Sequence, residues 1–200
     1  MNNLIRAALE ESAAAVTRLS HDEATLATIE QAARALIHSF QQGGRVFSCG
    51  NGGSLCDAMH FAEELSGRFR HNRRGLPATA ISDASHLSCV ANDFGYEQVF
   101  SRYIESHGRA GDVLLAISTS GSSKNVVAAA ETARELKLVT ISLTGKTDSI
   151  LGDLADHDIC TPAGTYSDRV QELHIKVIHI LVEMTERALF PENYSDSSGV

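Results

Sequence analysis

The sequence lacks the features that mark membrane, secreted and nucleotide-binding proteins. Its apolar runs all fall short of the roughly 18 residues that suggest a membrane span. The amino terminus has no basic region followed by an apolar one, so we expect no signal peptide. Neither a Gly-x-Gly-x-x-Gly run nor a Gly-rich run followed by Lys precedes a predicted helix. We therefore expect no membrane partner and no nucleotide cofactor.

Cysteine and positive charge are also scarce. The four cysteines have no C-x-x-C spacing and lie in apolar contexts, at Cys49, Cys56, Cys89 and Cys160. Such a pattern predicts reduced, buried thiols in a cytoplasmic protein. A formal net charge of −8 argues against broad nucleic-acid binding. It also means that local donors must hold any phosphate, because the overall field repels it.

Short apolar runs alternate with helical periodicity along the chain. Strands are predicted at 45–49, 77–82, 112–118, 138–143 and 158–161, and helices at 3–19, 23–42, 55–69, 84–91, 96–107, 123–137 and 168–190. This alternation predicts an α/β fold with a parallel sheet covered on both faces. We divide the chain into N-terminal helices (1–44), a core (45–190) and a polar tail (191–200). The last helix is apolar on more than one side, so we expect an oligomer.

The segment Ser118–Ser123 is the most informative part of the chain. It follows the apolar run 113–117 and precedes a helical pattern, and it carries five hydroxyls and one glycine in six residues. Free N–H groups and the positive end of the following helix would point at this turn. An ordinary strand–helix connection would need only one hydroxyl as a cap. The pattern therefore favours an anion site.

A second strand–turn–helix unit lies upstream, where Gly50–Ser54 follows a predicted buried strand. Ser54 and Asp57 have the spacing of a capping box at the start of the helix. Two loops rich in glycine and hydroxyl groups, without nucleotide signatures, indicate a small phosphorylated ligand.

Several polar side chains on the predicted helices could carry chemistry. His60 and Glu64 are four residues apart and share a helix face, so they could ligate a metal or pair a base with its orienting group. A solvated surface pair is the alternative, and Glu63 is expected to point away into solvent. On the last helix, we interpret His174 as structural, whereas His179 lies among apolar residues and needs a partner or a function.

The roles of two further groups stay open on sequence grounds. Asn92 and Asp93 end a helical segment and are either a plain C-terminal turn or hydroxyl-binding groups near the sheet edge. A basic run is most simply a solvated helix end and comprises Arg68, Arg70, Arg73 and Arg74.

Motifs from residue 4 to 190 closely resemble the bacterial phosphoheptose isomerases of the sugar isomerase (SIS) fold family. They read CGNGGSLCDAMHFAEELSGRF, ANDFGYEQVFSRY, GDVLLAISTSGSSKNV, SLTG and RVQELHIKVIHIL. The resemblance implies a flavodoxin-like three-layer sandwich, with N-terminal helices and a long C-terminal helix. It also implies a homotetramer and isomerisation of sedoheptulose 7-phosphate to D-glycero-D-manno-heptose 7-phosphate. That reaction is the first step toward the ADP-heptose of the lipopolysaccharide core.

The resemblance also implies roles for individual residues. Glu64 and His179 would be the acid/base pair. Sugar and phosphate would be bound by Asn51, Gly52, Gly53, Asn92, Asp93, Ser118, Thr119, Ser120, Ser123 and Gln171, together with Glu64. Some members bind zinc, here through His60, Glu64, Gln171 and His179, and charged positions near the family's site match Arg68 and Asp168. Ser122 and Lys124 depart from the family's loop pattern.

Two alternatives accompany this interpretation. One is a non-catalytic SIS scaffold that binds the replication initiator, a branch that loses the carboxylate and the second histidine. The other is an isomerase of a different phosphosugar. Because about 12 Å of helix separates Gln171 from His179, we also expect active sites shared between subunits, with His179 as the residue that crosses.

Overall fold

The computed structural model describes residues 1–194 and contains one parallel sheet between two layers of helices. The strands are β1 (Val46–Gly50), β2 (Ala78–Ala80), β3 (Val113–Ser118), β4 (Val139–Thr144) and β5 (His157–Cys160). They pair in the order β2-β1-β3-β4-β5. The predicted α/β fold is confirmed.

Eight α-helices connect and cover the strands in the described part of the chain. They are α1 (Asn2–Leu19), α2 (Glu23–Gln41), α3 (Gly53–Ser66), α4 (Ala84–Phe94), α5 (Ser101–His107), α6 (Lys124–Glu135), α7 (Ile150–Leu154) and α8 (Ser167–Leu189). Short 3₁₀ turns span Tyr96–Gln98 and Pro191–Tyr194. Within residues 1–194, no helix has the length and apolar character needed to cross a bilayer.

The helix predictions differ from the structure most clearly in four places. The helix predicted over 84–91 extends to Phe94. The helix predicted over 55–69 ends at Ser66, and the one predicted over 96–107 begins as a 3₁₀ turn before α5. The five-residue α7 was not predicted, because one turn and a half is too short to show a helical period. Most of the predicted polar tail, 195–200, lies outside the described residues.

The central strand β3 explains why the core has two parts. Val113, Leu115 and Ile117 pack with α2, α3 and α8, whereas Leu114 and Ala116 pack with α5 and α6 on the opposite face. Successive strand residues point to opposite faces, so a strand covered on both sides must be apolar throughout. This is why the run 113–117 has no polar alternation.

Two predictions about burial are wrong. Only Cys49 is fully buried, which raises the pKa of its thiol to about 12; Cys56 and Cys89 are exposed, and Cys160 is half-buried. The side chain of Arg73, which the basic run placed in solvent, is 1% exposed. Local sequence context does not reveal either outcome, and the burial of Arg73 in particular depends on Glu186, a partner in a distant part of the chain.

His174 is a structural residue, as its sequence context indicated. The imidazole is completely buried, and its Nε2 lies 3.1 Å from the carbonyl oxygen of Thr144, at the end of β4. Its Nδ1 has no hydrogen-bond partner in the described chain. Burial lowers the pKa of His174 to about 4, and the bond to Thr144 only partly opposes this effect. The ring is therefore neutral in the folded state and donates from Nε2.

This pKa predicts a pH-dependent loss of stability. Between pH 6.5 and about 4 the unfolded chain binds a proton that the folded chain excludes, so stability falls as the pH drops through this window. Across this window the free energy of unfolding should fall by about 3 kcal/mol in total because of His174. In His174→Gln, whose amide can still donate to Thr144, this part of the pH dependence should vanish from urea unfolding curves. The exposed His38→Gln serves as the control, and an unchanged slope in His174→Gln would contradict the assignment.

Candidate active site

The loop between β3 and α6 gathers the predicted phosphate-binding hydroxyls. Ser118 Oγ lies 3.0 Å from Ser123 Oγ and 3.3 Å from Ser120 Oγ, and the N–H of Ser122 donates to Ser120 Oγ. Gly121 has a φ of +64°, and a Cβ on it would come within 2.3 Å of Ser149 Cβ. A glycine is therefore required for this turn on both conformational and steric grounds.

A cleft of about 280 Å³ opens beside this loop. Thr119 and Ser120 line one side, and the segment 162–167, which leads into α8, lines the other. The N–H of Gly145, in the SLTG motif, donates to the carbonyl of Thr119 and so fixes the loop against the end of β4. The arrangement offers neutral hydroxyl donors and a helix N-terminus to an anion of phosphate size.

The second loop, between β1 and α3, brings the backbone close to α8. Gly52 has a φ of +54°, and a Cβ on Gly53 would lie 2.6 Å from Nε2 of Gln171. Gln171 can thus reach the loop only because Gly53 has no side chain. The predicted capping box is wrong: α3 begins at Gly53, so Ser54 lies inside the first turn, where it is buried.

Asn125 connects the two loops and was not identified from the sequence. Asn51 Nδ2 donates to Asn125 Oδ1 at 2.8 Å, and Asn125 Nδ2 donates back to Asn51 Oδ1 at 2.9 Å. The hydroxyl of Tyr96 also donates to Asn51 Oδ1. Asn125 is 4% exposed. It follows the hydroxyl loop by two residues within a helical pattern, so only its closeness to that loop could have drawn attention to it.

The reciprocal amide pair should make the two loops energetically dependent on each other. Asn125→Ala leaves the partly buried Asn51 amide without its partner and should lower the free energy of unfolding by about 1–3 kcal/mol. A double-mutant cycle of Asn51→Ala and Asn125→Ala, measured by urea unfolding, should give a coupling of at least about 0.5 kcal/mol. Thr132→Ala, on the same helix, is the control. Strictly additive losses would show that the pair does not couple the loops.

His60, Glu64 and His179 form the most concentrated set of titratable groups near α3 and α8. Their ligand atoms all lie within 4.8 Å of one another. His60 Nε2 is 2.9 Å from His179 Nε2 and 3.4 Å from Glu64 Oε1. Burial, and next the neighbouring His60, lower the pKa of His179. The solvated-pair alternative for His60 and Glu64 is wrong, because His179 packs against them.

Gln171 lies apart from this cluster within the chain. It contacts Gly53 at the start of α3, whereas His60 and Glu64 lie in the second half of that helix. Eleven residues separate Gly53 from Glu64, or about 16 Å along the helix axis. The expectation that His179 must cross from another subunit to reach His60 and Glu64 is wrong, because α8 of the same chain supplies it.

The remaining predicted site residues lie at the surface of the single chain. Asn92 and Asp93 are exposed in the last turn of α4, where Asn92 Nδ2 donates to Asp93 Oδ1. Arg68 and Asp168 are exposed as well. Lys124, one of the departures from the family's loop, forms an exposed ion pair with Glu97 at 2.8 Å. Glu63 is mostly exposed, as expected, although its Oε1 lies 3.1 Å from His60 Nδ1.

Comparison with known proteins agrees with this arrangement. The SIS domain family matches residues 9–145. A phosphoheptose isomerase from Klebsiella pneumoniae is 58% identical over 187 residues, which are 94% of this chain and 97% of that protein. The structure of the phosphoheptose isomerase from Neisseria gonorrhoeae is 34% identical with a TM-score of 0.86, covering 92% of this chain and 98% of that one. The resemblance noted in the sequence is confirmed, and the chain belongs to the SIS domain family, among the phosphoheptose isomerases.

Proposed function

We propose that this chain is a phosphoheptose isomerase that converts sedoheptulose 7-phosphate to D-glycero-D-manno-heptose 7-phosphate, a cytoplasmic step toward lipopolysaccharide heptose. The observation that carries the proposal is the cluster of His60, Glu64 and His179. The same chain has the hydroxyl-rich loop Ser118–Ser123 between β3 and α6, which we call the anion loop. Two relatives named phosphoheptose isomerase are 56% and 58% identical to this chain over nearly their whole length. The initiator-binding scaffold is disfavoured because the carboxylate and both histidines are present together.

The reaction needs a base that moves one proton between two carbons. Glu64 removes a proton from C1 of the ketose, which gives a cis-enediol(ate), and returns it to C2. The C2 carbonyl oxygen gains a proton as the C1 hydroxyl loses one, so the product is the aldose. The lowered pKa of His179 favours a neutral imidazole near pH 7, which can exchange protons with these oxygens. Atoms and charge balance without a redox cofactor.

The same cluster fits a zinc ion. Two imidazole nitrogens and a carboxylate oxygen are a common zinc donor set, and their separations of 2.9 and 3.4 Å are close to those between ligands about 2 Å from one ion. His60, Glu64 and His179 would hold the ion, and we propose Gln171 of another subunit as the fourth ligand. Bound zinc would act as a Lewis acid toward the substrate's carbonyl oxygen.

We further propose a homotetramer in which two chains complete each site. In one chain, the anion loop and Gln171 lie near the start of α3, whereas His60 and Glu64 lie about 10 and 16 Å further along the helix. A heptose phosphate must reach both regions. Ile180 and Met184 on α8 are each 38% exposed and line an apolar groove against α2, which suits helix packing between subunits.

Replacing the proposed base tests the reaction directly. Glu64→Gln should lower kcat by about 10²–10⁴-fold while retaining substrate binding, because the amide keeps the shape of the side chain but cannot accept the proton. NMR follows aldose formation, and calorimetry follows binding. In D₂O the wild-type product should carry deuterium at C2.

The exposed Glu131→Gln on α6 is the control for that experiment and should keep the wild-type rate. A wild-type protein that leaves sedoheptulose 7-phosphate unchanged would reject the proposed substrate. An undiminished rate in Glu64→Gln would reject Glu64 as the base.

Mixing two impaired variants tests the shared site, with the substrate held well below the KM of the loop variant so that both variants turn over slowly. Glu64→Gln inactivates the catalytic cluster of its chain. The double variant Thr119→Ala/Ser120→Ala weakens phosphate binding by the anion loop of its chain. After dissociation and random reassociation, about a quarter of the sites should combine an intact cluster with an intact loop, since each half is intact with a chance of about one half. Recovered activity near that fraction is the expected result.

The matched control mixes Glu64→Gln with His179→Ala. Both changes fall in the cluster of a single chain, so this mixture should stay inactive. If it recovers while the first mixture does not, the two catalytic residues come from different subunits and the proposed division is wrong.

A further inference from the structure

Arg73 makes an unusual number of contacts for a residue in an irregular loop. Its side chain is 1% exposed and donates to the carbonyl of the adjacent Arg74 and to four groups on or beyond the end of α3. Nη2 donates to the carbonyl oxygen of Glu64 at 2.7 Å, and Nη1 donates to those of Leu65 at 2.8 Å and Gly67 at 3.0 Å. Nε pairs with Glu186 Oε1 at 3.0 Å. Only an arginine offers donors in several directions from one planar group.

Three of these bonds act on the end of α3. The last carbonyls of a helix have no partners within the helix, and a cationic side chain placed there satisfies them and complements the helix dipole. Glu64 is the third residue from the end of α3, which stops at Ser66. The proposed base thus lies in a final turn that would fray without such a cap, and Arg73 bonds to the backbone of that residue itself.

The fourth bond reaches the helix that carries His179. Glu186 follows His179 by seven residues on α8, or close to two turns, so both lie on the same face. The carboxylate of Glu186 is also 1% exposed and accepts a second bond from the hydroxyl of Tyr194 at 2.5 Å. A single buried guanidinium therefore joins the ends of the two helices that present Glu64 and His179.

We infer that Arg73 is a positioning residue that sets the separation of Glu64 and His179 by capping α3 and binding Glu186 on α8. The inference rests on the proposed function. Arg73 contacts neither substrate nor reacting atoms. Its effect is confined to the catalytic cluster, because the anion loop lies near the other end of α3. A loss at Arg73 should therefore appear in kcat and leave phosphate recognition nearly unchanged.

Arg73→Lys tests this with the charge retained. One ammonium cannot reach all four acceptors, so the cap and the bridge cannot both persist. We expect kcat to fall about tenfold or more, because a displacement of about 1 Å in a catalytic group can cost up to about 10²-fold. KM should change by less than about threefold. Hydrogen–deuterium exchange of the peptide spanning 61–67 should accelerate, which reports on the cap without any substrate.

Tyr194→Phe is the matched control, since it removes a bond to the same Glu186 and leaves the α3 carbonyls bonded. It should lower Tm while kcat stays within about twofold of wild type and exchange in 61–67 is unchanged. If Arg73→Lys fails to fold, Glu186→Gln preserves the volume while weakening the charge-assisted bond to Arg73, and its kcat should fall about threefold.

Three results separate the explanations. Folded Arg73→Lys with wild-type kcat at temperatures well below its Tm would overturn the inference. Losses of kcat that track Tm equally in Arg73→Lys and Tyr194→Phe would also overturn it, since they indicate a purely structural role. The third result is a wild-type protein that is inactive on the heptulose phosphate, together with faster exchange of 61–67 in Arg73→Lys than in wild type. This result would reject the proposed function but would still support the contacts of Arg73 with α3 and α8.

Discussion

The order of the strands is the constraint on which the site depends. The chain passes from β1 outward to β2 and then returns to the other side of β1 with β3, so β1 and β3 are neighbours whose following helices, α3 and α6, cover opposite faces of the sheet. Parallel strands end at a common edge, and a ligand crevice forms where the winding direction reverses. The loops after β1 and β3 meet at this point, and the pair Asn51–Asn125 spans it. The contact between the two loops is thus a consequence of the strand order, and the Asn51–Asn125 pair fixes its geometry.

The sequence predicted the parts of the site that depend on local patterns. The fully apolar run of β3 followed by five hydroxyls required no tertiary information, because covered strands and anion-binding turns each have a compositional signature. Arg73 shows where that information ends. Its neighbours Arg70 and Arg74 made the segment look solvated, yet its partner Glu186 is 113 residues away. Burial of a charge is decided by such a partner, and composition does not reveal it.

Helix length accounts for a second limit of sequence reasoning. The interval of eight residues between Gln171 and His179 predicts that the two side chains lie apart along α8. It did not reveal which of them stays with His60 and Glu64, because that depends on how α8 crosses α3. In the structure, Gly53 allows Gln171 to approach the start of α3, and this contact fixes the register of the two helices. His179 is then placed beside His60 at the other end.

The separation of the two regions also divides their energetic roles. The phosphate group is unchanged between heptulose and heptose phosphate, so contacts to it are equally strong in substrate, transition state and product. Such uniform binding lowers KM but does not raise kcat. Neutral hydroxyls suit this task, since each contributes only about 0.5–1.5 kcal/mol and a strongly held product would leave slowly. Rate acceleration must come from groups whose interactions change during proton transfer, which is the role we propose for Glu64, His60 and His179. A rigid cap on α3 then matters more for the rate than any further donor in the anion loop.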